Sequence, residues 1–425
     1  FPACFLWEDT MPKKKSKKAL KAQRARARRR RTIKTTVETA ALLVVLLVCV
    51  ALWRATSGPA VPVSAPTSDP IAAATGTSEP TAAPEITATP TAEPTATPTP
   101  APTPTPEPTS VSITLTAVGD CTIGGDMNGS SEERFANMVS DGAGGIDYDY
   151  CFKNVKSIFE DDDITLVNLE VVLTDSSDYL KRDDKIFIMR GKPEYVNMLT
   201  GSSVEVCNIA NNHMTDFGDW GIEETEKLLD ENGLGYCGYG RTFLTEVKGV
   251  KLGFVGINYW TTKEDEMRQT ISDMREKCDI LIVSIHWGNE LAEYPTDYQE
   301  KWGHIAVDLG ANVVIGHHPH VVQGIESYKG VNIVYSLGNF CFGGKKNPTD
   351  KDTFIYQTTF TVSPDGQLED SSFTVIPCKI TSVADESSNN YQPTPVTDEK
   401  EAKKILEKIE YRSRKLDNPV RLTED

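Results

Sequence analysis

Five of the six histidines in this 425-residue chain stand at or just past the end of a short apolar run. His213 follows Ile209-Ala-Asn-Asn212, His286 closes Ile280-Leu-Ile-Val-Ser-Ile, and His317, His318 and His320 follow Val313-Val-Ile-Gly316. Two further runs end in acids, Ile113 to Asp120 and Ile164 to Glu170. Imidazole nitrogens and carboxylate oxygens are the donors that first-row divalent metals accept, and Asn212 adds an amide oxygen beside His213. Three histidines within four residues are hard to explain as packing, because each needs partners once buried. Pro319 stiffens the spacing between His318 and His320. Asp216 stands three residues past His213, where it can orient the ring, and Glu290 stands four past His286. Each motif also has a plain reading. Gly119-Asp120 is ordinary turn chemistry, Asn168 to Glu170 is a solvated strand end, and Asn211-Asn212-His213 is a capped turn. Only convergence makes them a site.

The elements around these residues supply a reason to converge. A strand apolar on both faces belongs in the middle of a covered sheet, and open α/β sheets bind ligands beyond the carboxyl ends of such strands. Strands are expected at 112–118, 163–169, 204–209, 250–257, 279–285, 312–315 and 331–336. Helices are expected near 132–140, 151–160, 221–232, 264–277 and 296–309. That alternation implies right-handed parallel βαβ units. Strands near 353–362 and 368–377, joined by Ser363-Pro-Asp-Gly366, read as a hairpin. The folded domain is therefore placed at 111–380, with a polar tail at 381–425 that carries one helix near 398–414. A polynuclear metal site on an α/β scaffold is the expectation. His304 lies inside a helical pattern and reads as structural. No Walker loop, dinucleotide fingerprint or Gly-x-Ser-x-Gly elbow is present.

Before residue 111 the composition changes twice. Between Lys13 and Lys34 lie 13 Lys/Arg and no acid, then 14 apolar residues run from Ala40 to Trp53. Lys/Arg beside an apolar segment is the positive-inside pattern. The reading is a basic cytoplasmic segment at 1–36 and a signal anchor crossing the membrane at 37–56, with a cleaved signal as the alternative because the run is shorter than the roughly 20 residues of a usual span. Residues 57–110 form a Pro/Thr-rich linker that favours polyproline II. The domain is then expected outside a bacterial cell, on a single-pass anchor. Residues 1–54 hold 14 Lys/Arg against three acids, so with a whole-chain charge of −17 the remainder carries −28. Such a domain does not bind nucleic acid nonspecifically. Of the nine cysteines the seven beyond the anchor, without a CxxC, read as buried thiols rather than a disulfide framework.

Taken jointly, several segments resemble the capsule-synthesis CapA family, the poly-γ-glutamate accessory group. They are Ala117-Val-Gly-Asp120, Val167-Asn-Leu-Glu170, Arg190-Gly-Lys-Pro193, Ala210-Asn-Asn-His213 with Asp216 and Gly218, His286-Trp-Gly-x-Glu290, Gly316-His-His-Pro-His320 with Gln323, and Tyr335-Ser-Leu-Gly-Asn-Phe340. The family is similar to the calcineurin-like metallophosphoesterases. The resemblance implies a four-layer αββα sandwich and one or two divalent ions (Mn, Fe, Zn or Mg). It also implies work on an anionic extracellular polymer, poly-γ-glutamate or capsule, beside membrane synthase or export subunits. Position by position it implies metal ligation by Asp120, Glu170, Asn212, His213, His286, His318 and His320. His213, Asp216 and Glu290 become catalytic candidates, with His213 a proton donor if it is not a ligand. Arg190, Asn211, His317, Gln323 and Asn339 become substrate contacts, and Arg182 and Lys192 add positive field. One departure weakens the second ion's ligand set: phosphoesterases begin Asp-x-His, and here Asp120-Cys121-Thr122 lacks that histidine, with His317 the residue that could compensate. Two alternatives stand beside a metal-dependent hydrolase, namely a non-catalytic accessory subunit and a general exported metallophosphoesterase.

Overall fold

Alternate side chains of the central strands face opposite ways, and this separates a middle core from an outer core on each side. The computed structural model describes residues 109–179, 186–384 and 387–423, all within a compact unit, Ala101–Asp425. The basic segment, the expected anchor and linker, and Arg182 fall outside the described residues. Among the described residues no helix is long and apolar enough to cross a membrane.

In chain order the strands are β1 (Val111–Thr122), β2 (Gly125–Asp126), β3 (Ile164–Leu169), β4 (Val172–Leu173), β5 (Met189–Gly191), β6 (Val206–Asn208), β7 (Gly235–Cys237), β8 (Thr242–Val247), β9 (Val250–Asn258), β10 (Ile280–His286), β11 (Val313–His317), β12 (Ile325–Tyr328), β13 (Val331–Val334), β14 (Asn339–Phe342), β15 (Asp352–Val362), β16 (Leu368–Lys379) and β17 (Thr394–Pro395). The first sheet runs β17-β16-β15-β1-β3-β6-β7, with β14 also on β1; the second runs β12-β13-β11-β10-β9-β8. The expected parallel units are present in both, as β1, β3, β6 and β7 and as β9, β10, β11 and β13.

Leu115, Leu166 and Val206 of the first sheet meet Phe254, Ile282 and Ile315 of the second in the middle core. Their sequence neighbours Val118, Val167 and Cys207 turn outward to Phe159, Met198 and Leu229. Val255, Val283 and Val314 turn outward from the second sheet to Met267, Ile271 and Trp302 on the helices Glu264–Arg275 and Asp297–Asp308. The order is thus helix, sheet, sheet, helix. All seven cysteines of this unit are buried and free.

Three features depart from the expected elements. β7, β8 and β12 extend both sheets at the edges, and β2, β4 and β5 form a small separate sheet. The helix Glu399–Ser413 does not hang in a polar tail, because Ile405 and Ile409 enter the middle core. Its apolar stripe, to which the sequence assigned no role, packs into the core between the two sheets.

Register then aligns the chemistry. Asn339, Asp120, Asn168 and Asn208 stand in one row across β14, β1, β3 and β6. Asn258, His286 and His317 stand in one row across β9, β10 and β11. Both rows lie at the carboxyl ends of parallel strands, apart from Asn339, which opens β14. Gly119 lets β1 and β14 approach this closely: a Cβ there would lie 2.1 Å from the Gly338 carbonyl oxygen, while Asp120 N–H donates to that same oxygen at 2.9 Å.

Candidate metal centre

The two rows meet at buried carboxylates and imidazoles. Asp120 Oδ1 accepts from Asn168 Nδ2 at 2.8 Å, and the backbone N–H of His318 approaches both Asp120 oxygens at 3.4 and 3.3 Å. His320 Nδ1 lies 3.1 Å from Asp120 Oδ2 and His317 Nδ1 lies 3.5 Å from Oδ1. His286 Nε2 is the hub: Asn212 Oδ1 is 2.8 Å away, His318 Nδ1 3.1 Å and Glu170 Oε1 3.4 Å. His320 Nε2 reaches the same Glu170 oxygen at 3.8 Å. Atoms that share one ion at roughly 2.0–2.3 Å stand roughly 3–3.5 Å from each other. Glu170, His318 and His320 offer atoms all within 4.8 Å of one another. The buried nitrogen and oxygen set therefore fits a divalent cation.

The loop that delivers the histidines is held in an uncommon backbone shape. His318 has φ +95° and His320 φ +57°, on either side of Pro319. Residues other than glycine seldom adopt these values, and they persist where surrounding contacts enforce them. Asn339 supplies one such contact. It joins His320 twice, at Nδ1 (2.9 Å) and at the carbonyl oxygen (3.1 Å).

Electrostatics divide the histidines. Burial, then repulsion from His318, holds His286 well below the usual imidazole range. Burial, then the charge on His320, takes His318 down to about 3. His320 moves the other way: burial opposes its charge, but Glu170 and Asp120 raise it to about 10. Burial works to raise the Asp120 carboxyl, yet bonding to His317 and His320 keeps it well below the ordinary range. The centre thus pairs two neutral imidazoles with one imidazolium between carboxylates.

A cavity of about 240 Å³ opens beside His320, with His213, Glu290, Asn339 and Phe342 on its walls. His213 Nδ1 is paired with Asp216 Oδ2 at 2.9 Å. Asp216 is fixed in turn by the N–H of Met189 at 2.8 Å. Glu290 is exposed at the rim.

Three expected substrate contacts face elsewhere. Asn211 is fully buried; its Nδ2 donates to Leu169 O and its Oδ1 accepts from the N–H groups of His213 and Met214. Gln323, also fully buried, bonds the carbonyls of Ala292 and Tyr294 and the amide of Gln299. Arg190 is held by Glu132 at 2.7 Å and by Ser176 O at 2.6 Å. Amides and guanidinium here are used by turns, which need the same donors that a substrate would. His317 is buried behind Asp120, away from the cavity wall.

Two residues emerge only from the fold. Asn208 donates to Asn168 Oδ1 at 3.0 Å, which orients the Asn168 amide toward Asp120 and, at 3.3 Å, His286 Nδ1. In the sequence Asn208 is a polar residue inside the stretch Val206–Ala210. Trp260 sits edge-on to His318 with ring centroids 4.5 Å apart; it lies in a loop, and no pattern pointed to it.

Residues 114–344 match the family model for the bacterial capsule synthesis protein PGA_cap. The chain is 33% identical over 258 residues to the capsule biosynthesis protein CapA of Bacillus anthracis, covering 54% of this chain and 60% of that one. It is 30% identical over 253 residues to the PGA biosynthesis protein CapA of Bacillus subtilis (strain 168), covering 54% and 63%. A probable polyglutamine synthesis accessory protein of Mycobacterium tuberculosis is 27% identical over 210 residues, covering 42% and 55%. The chain thus spans about 60% of the length of the two Bacillus relatives. Among solved structures, a 5'-nucleotidase precursor from Thermus thermophilus aligns with a TM-score of 0.37 at 11% identity, over 72% of this chain and 60% of that one. With more than half of its length matched, the chain belongs to the bacterial capsule synthesis protein PGA_cap family.

Proposed function

We propose that this protein serves the production or export of an anionic extracellular polymer through a divalent-metal centre of hydrolase type. Poly-γ-glutamate is the first candidate, because the Bacillus relatives are named for capsule and PGA biosynthesis. The observation that carries the chemistry is the convergence of Glu170, His286, His318 and His320 from separate chain segments, with Asn212 and Asp120 beside them. In this reading those six side chains hold one or two ions. A bound divalent ion polarises a substrate oxygen and brings the pKa of water near neutrality. His213, oriented by Asp216, leaves Nε2 for the cavity and gives a proton to the leaving group. Asn339 keeps His320 in place.

The strongly negative domain repels a free polyanion, so attraction must be local. The centre itself and Lys345 on the cavity wall supply it. The anchor at 37–56 and the linker at 57–110 would keep the domain outside the bacterial membrane, beside synthase or export subunits. The second reading is an accessory subunit without catalysis. Thr122 favours it, since this residue stands where Asp-x-His has histidine and donates instead to the Glu170 carbonyl at 3.3 Å. Cells carrying His318→Ala with His320→Ala separate the two readings. The catalytic reading expects polymer output to fall roughly tenfold or more, as loss of metal-site groups does elsewhere. Unchanged output with normal protein levels gives the accessory reading.

A further inference from the structure

The helix Glu399–Ser413 lies wholly beyond residue 344, where the family match ends. Its last turn nevertheless reaches three loops around the cavity. Arg412 is buried, with its side chain 7% exposed. One terminal nitrogen donates to the Val322 carbonyl at 2.6 Å, two residues past His320, and lies 3.4 Å from Asp350 Oδ2. The other donates to Glu293 Oε1 at 2.9 Å, on the turn that carries Glu290 and Leu291. Asp350, Glu290 and Leu291 all line the cavity beside His320. Next to Arg412, Ser413 Oγ accepts the N–H of Ile325 at 2.9 Å. Gly324 lies so close that a Cβ there would stand 2.6 Å from Ser413 Cα. The helix end and the strand after the histidine loop are therefore locked together.

We propose that Arg412 is a positioning residue of the candidate metal centre, joining the histidine loop, the Glu290–Tyr294 turn and the loop of Asp350 through one guanidinium. A planar fork with several fixed donors reaches a carbonyl and two carboxylates on three different loops, a span that a single ammonium nitrogen lacks. A lysine offers a point charge and loses at least one arm. Without Arg412 the Val322 carbonyl loses its donor, Asp350 keeps Lys408 and the Asp352 N–H, and the Glu293 turn is released toward solvent. The consequence for metal rests on the metal-centre reading above; the joining of the loops does not.

The test compares full-length wild type with Arg412→Ala, Arg412→Lys and Ile409→Val, the last a core change one turn earlier on the same helix. Hydrogen exchange is followed at 289–295, 317–323 and 344–351, and Mn²⁺ affinity is titrated. Arg412→Ala is expected to speed exchange in all three loops and to weaken Mn²⁺ binding roughly tenfold, with Arg412→Lys between it and wild type. Ile409→Val is expected to lower Tm while leaving Mn²⁺ affinity unchanged. Unchanged exchange in Arg412→Ala overturns the proposal, and so does an equal loss of affinity in Ile409→Val. Wild type that takes up no Mn²⁺ refutes the metal reading alone, and the exchange data then decide Arg412. Should Arg412→Ala fail to fold, Glu293→Ala combined with Asp350→Ala removes two of its three arms and is read in the same way.

Discussion

His320 is the residue on which metal uptake should depend most visibly. In the metal-free centre Glu170 and Asp120 raise it to about 10, so it holds a proton throughout the neutral range. Ligation through Nε2 requires that proton to leave. Metal binding should then release protons, and affinity should rise with pH from 7 to 9 by up to about tenfold per unit, levelling near 10. Calorimetry in buffers of different ionisation enthalpy counts the protons; affinity that is flat over this range contradicts the assignment. The same shift has a stability consequence. A histidine raised above its unfolded value stabilises the fold fully below about pH 6.5, and that contribution is lost as pH rises through about 10. The histidines themselves were legible in sequence because each ends an apolar run, and strand ends converge by geometry. The roles of Asn211 and Gln323 were not. An amide side chain serves a turn or a substrate equally well, and only the path of the Leu169 and Ala292–Tyr294 backbone decides which.

Among the elements, the central strands were legible to within a few residues, since being apolar on both faces marks a covered parallel strand. β8 was missed because its side chains alternate between exposed and half-buried, as an edge strand's do. β7 was missed because three residues carry no period. The amino ends of the same strands hold a different chemistry. Glu205, just before β6, accepts the Thr165 N–H at 2.7 Å. Burial, with the nearby Asp162 adding to it, raises Glu205 to about 7, and burial raises Asp162 to about 6. A carboxyl raised in the folded state contributes stability fully below its unfolded value of 4.5, and loses that contribution as pH rises through about 7. Glu205→Gln mimics the protonated form. It should therefore raise Tm at pH 8 by about 2–4 °C, the shift of roughly 1 kcal/mol after solvent screening, and change little at pH 4.5. Equal effects at both pH values would show that Glu205 is not the titrating group.

Across the whole molecule, function depends on segments far apart in sequence. Arg412 meets Val322 and Glu293 across separations of 90 and 119 residues, which no local pattern encodes. The C-terminal helix was legible as a helix from its periodic apolar stripe, but not as part of the core, because the same stripe also suits a surface helix. The closure of two sheets was foreseen only as an implication of family resemblance; the packing of Leu115, Leu166, Ile282 and Ile315 supplies its physical basis. The central claim is that this closure builds one cation site from both sheets. Crystals of the full-length protein equilibrated with Mn²⁺ test it through anomalous scattering. The account predicts a peak within about 2.0–2.3 Å of Glu170, His286 Nε2, His318 and His320. Full Mn²⁺ exposure with no peak there, or with peaks only at surface carboxylates, would contradict it.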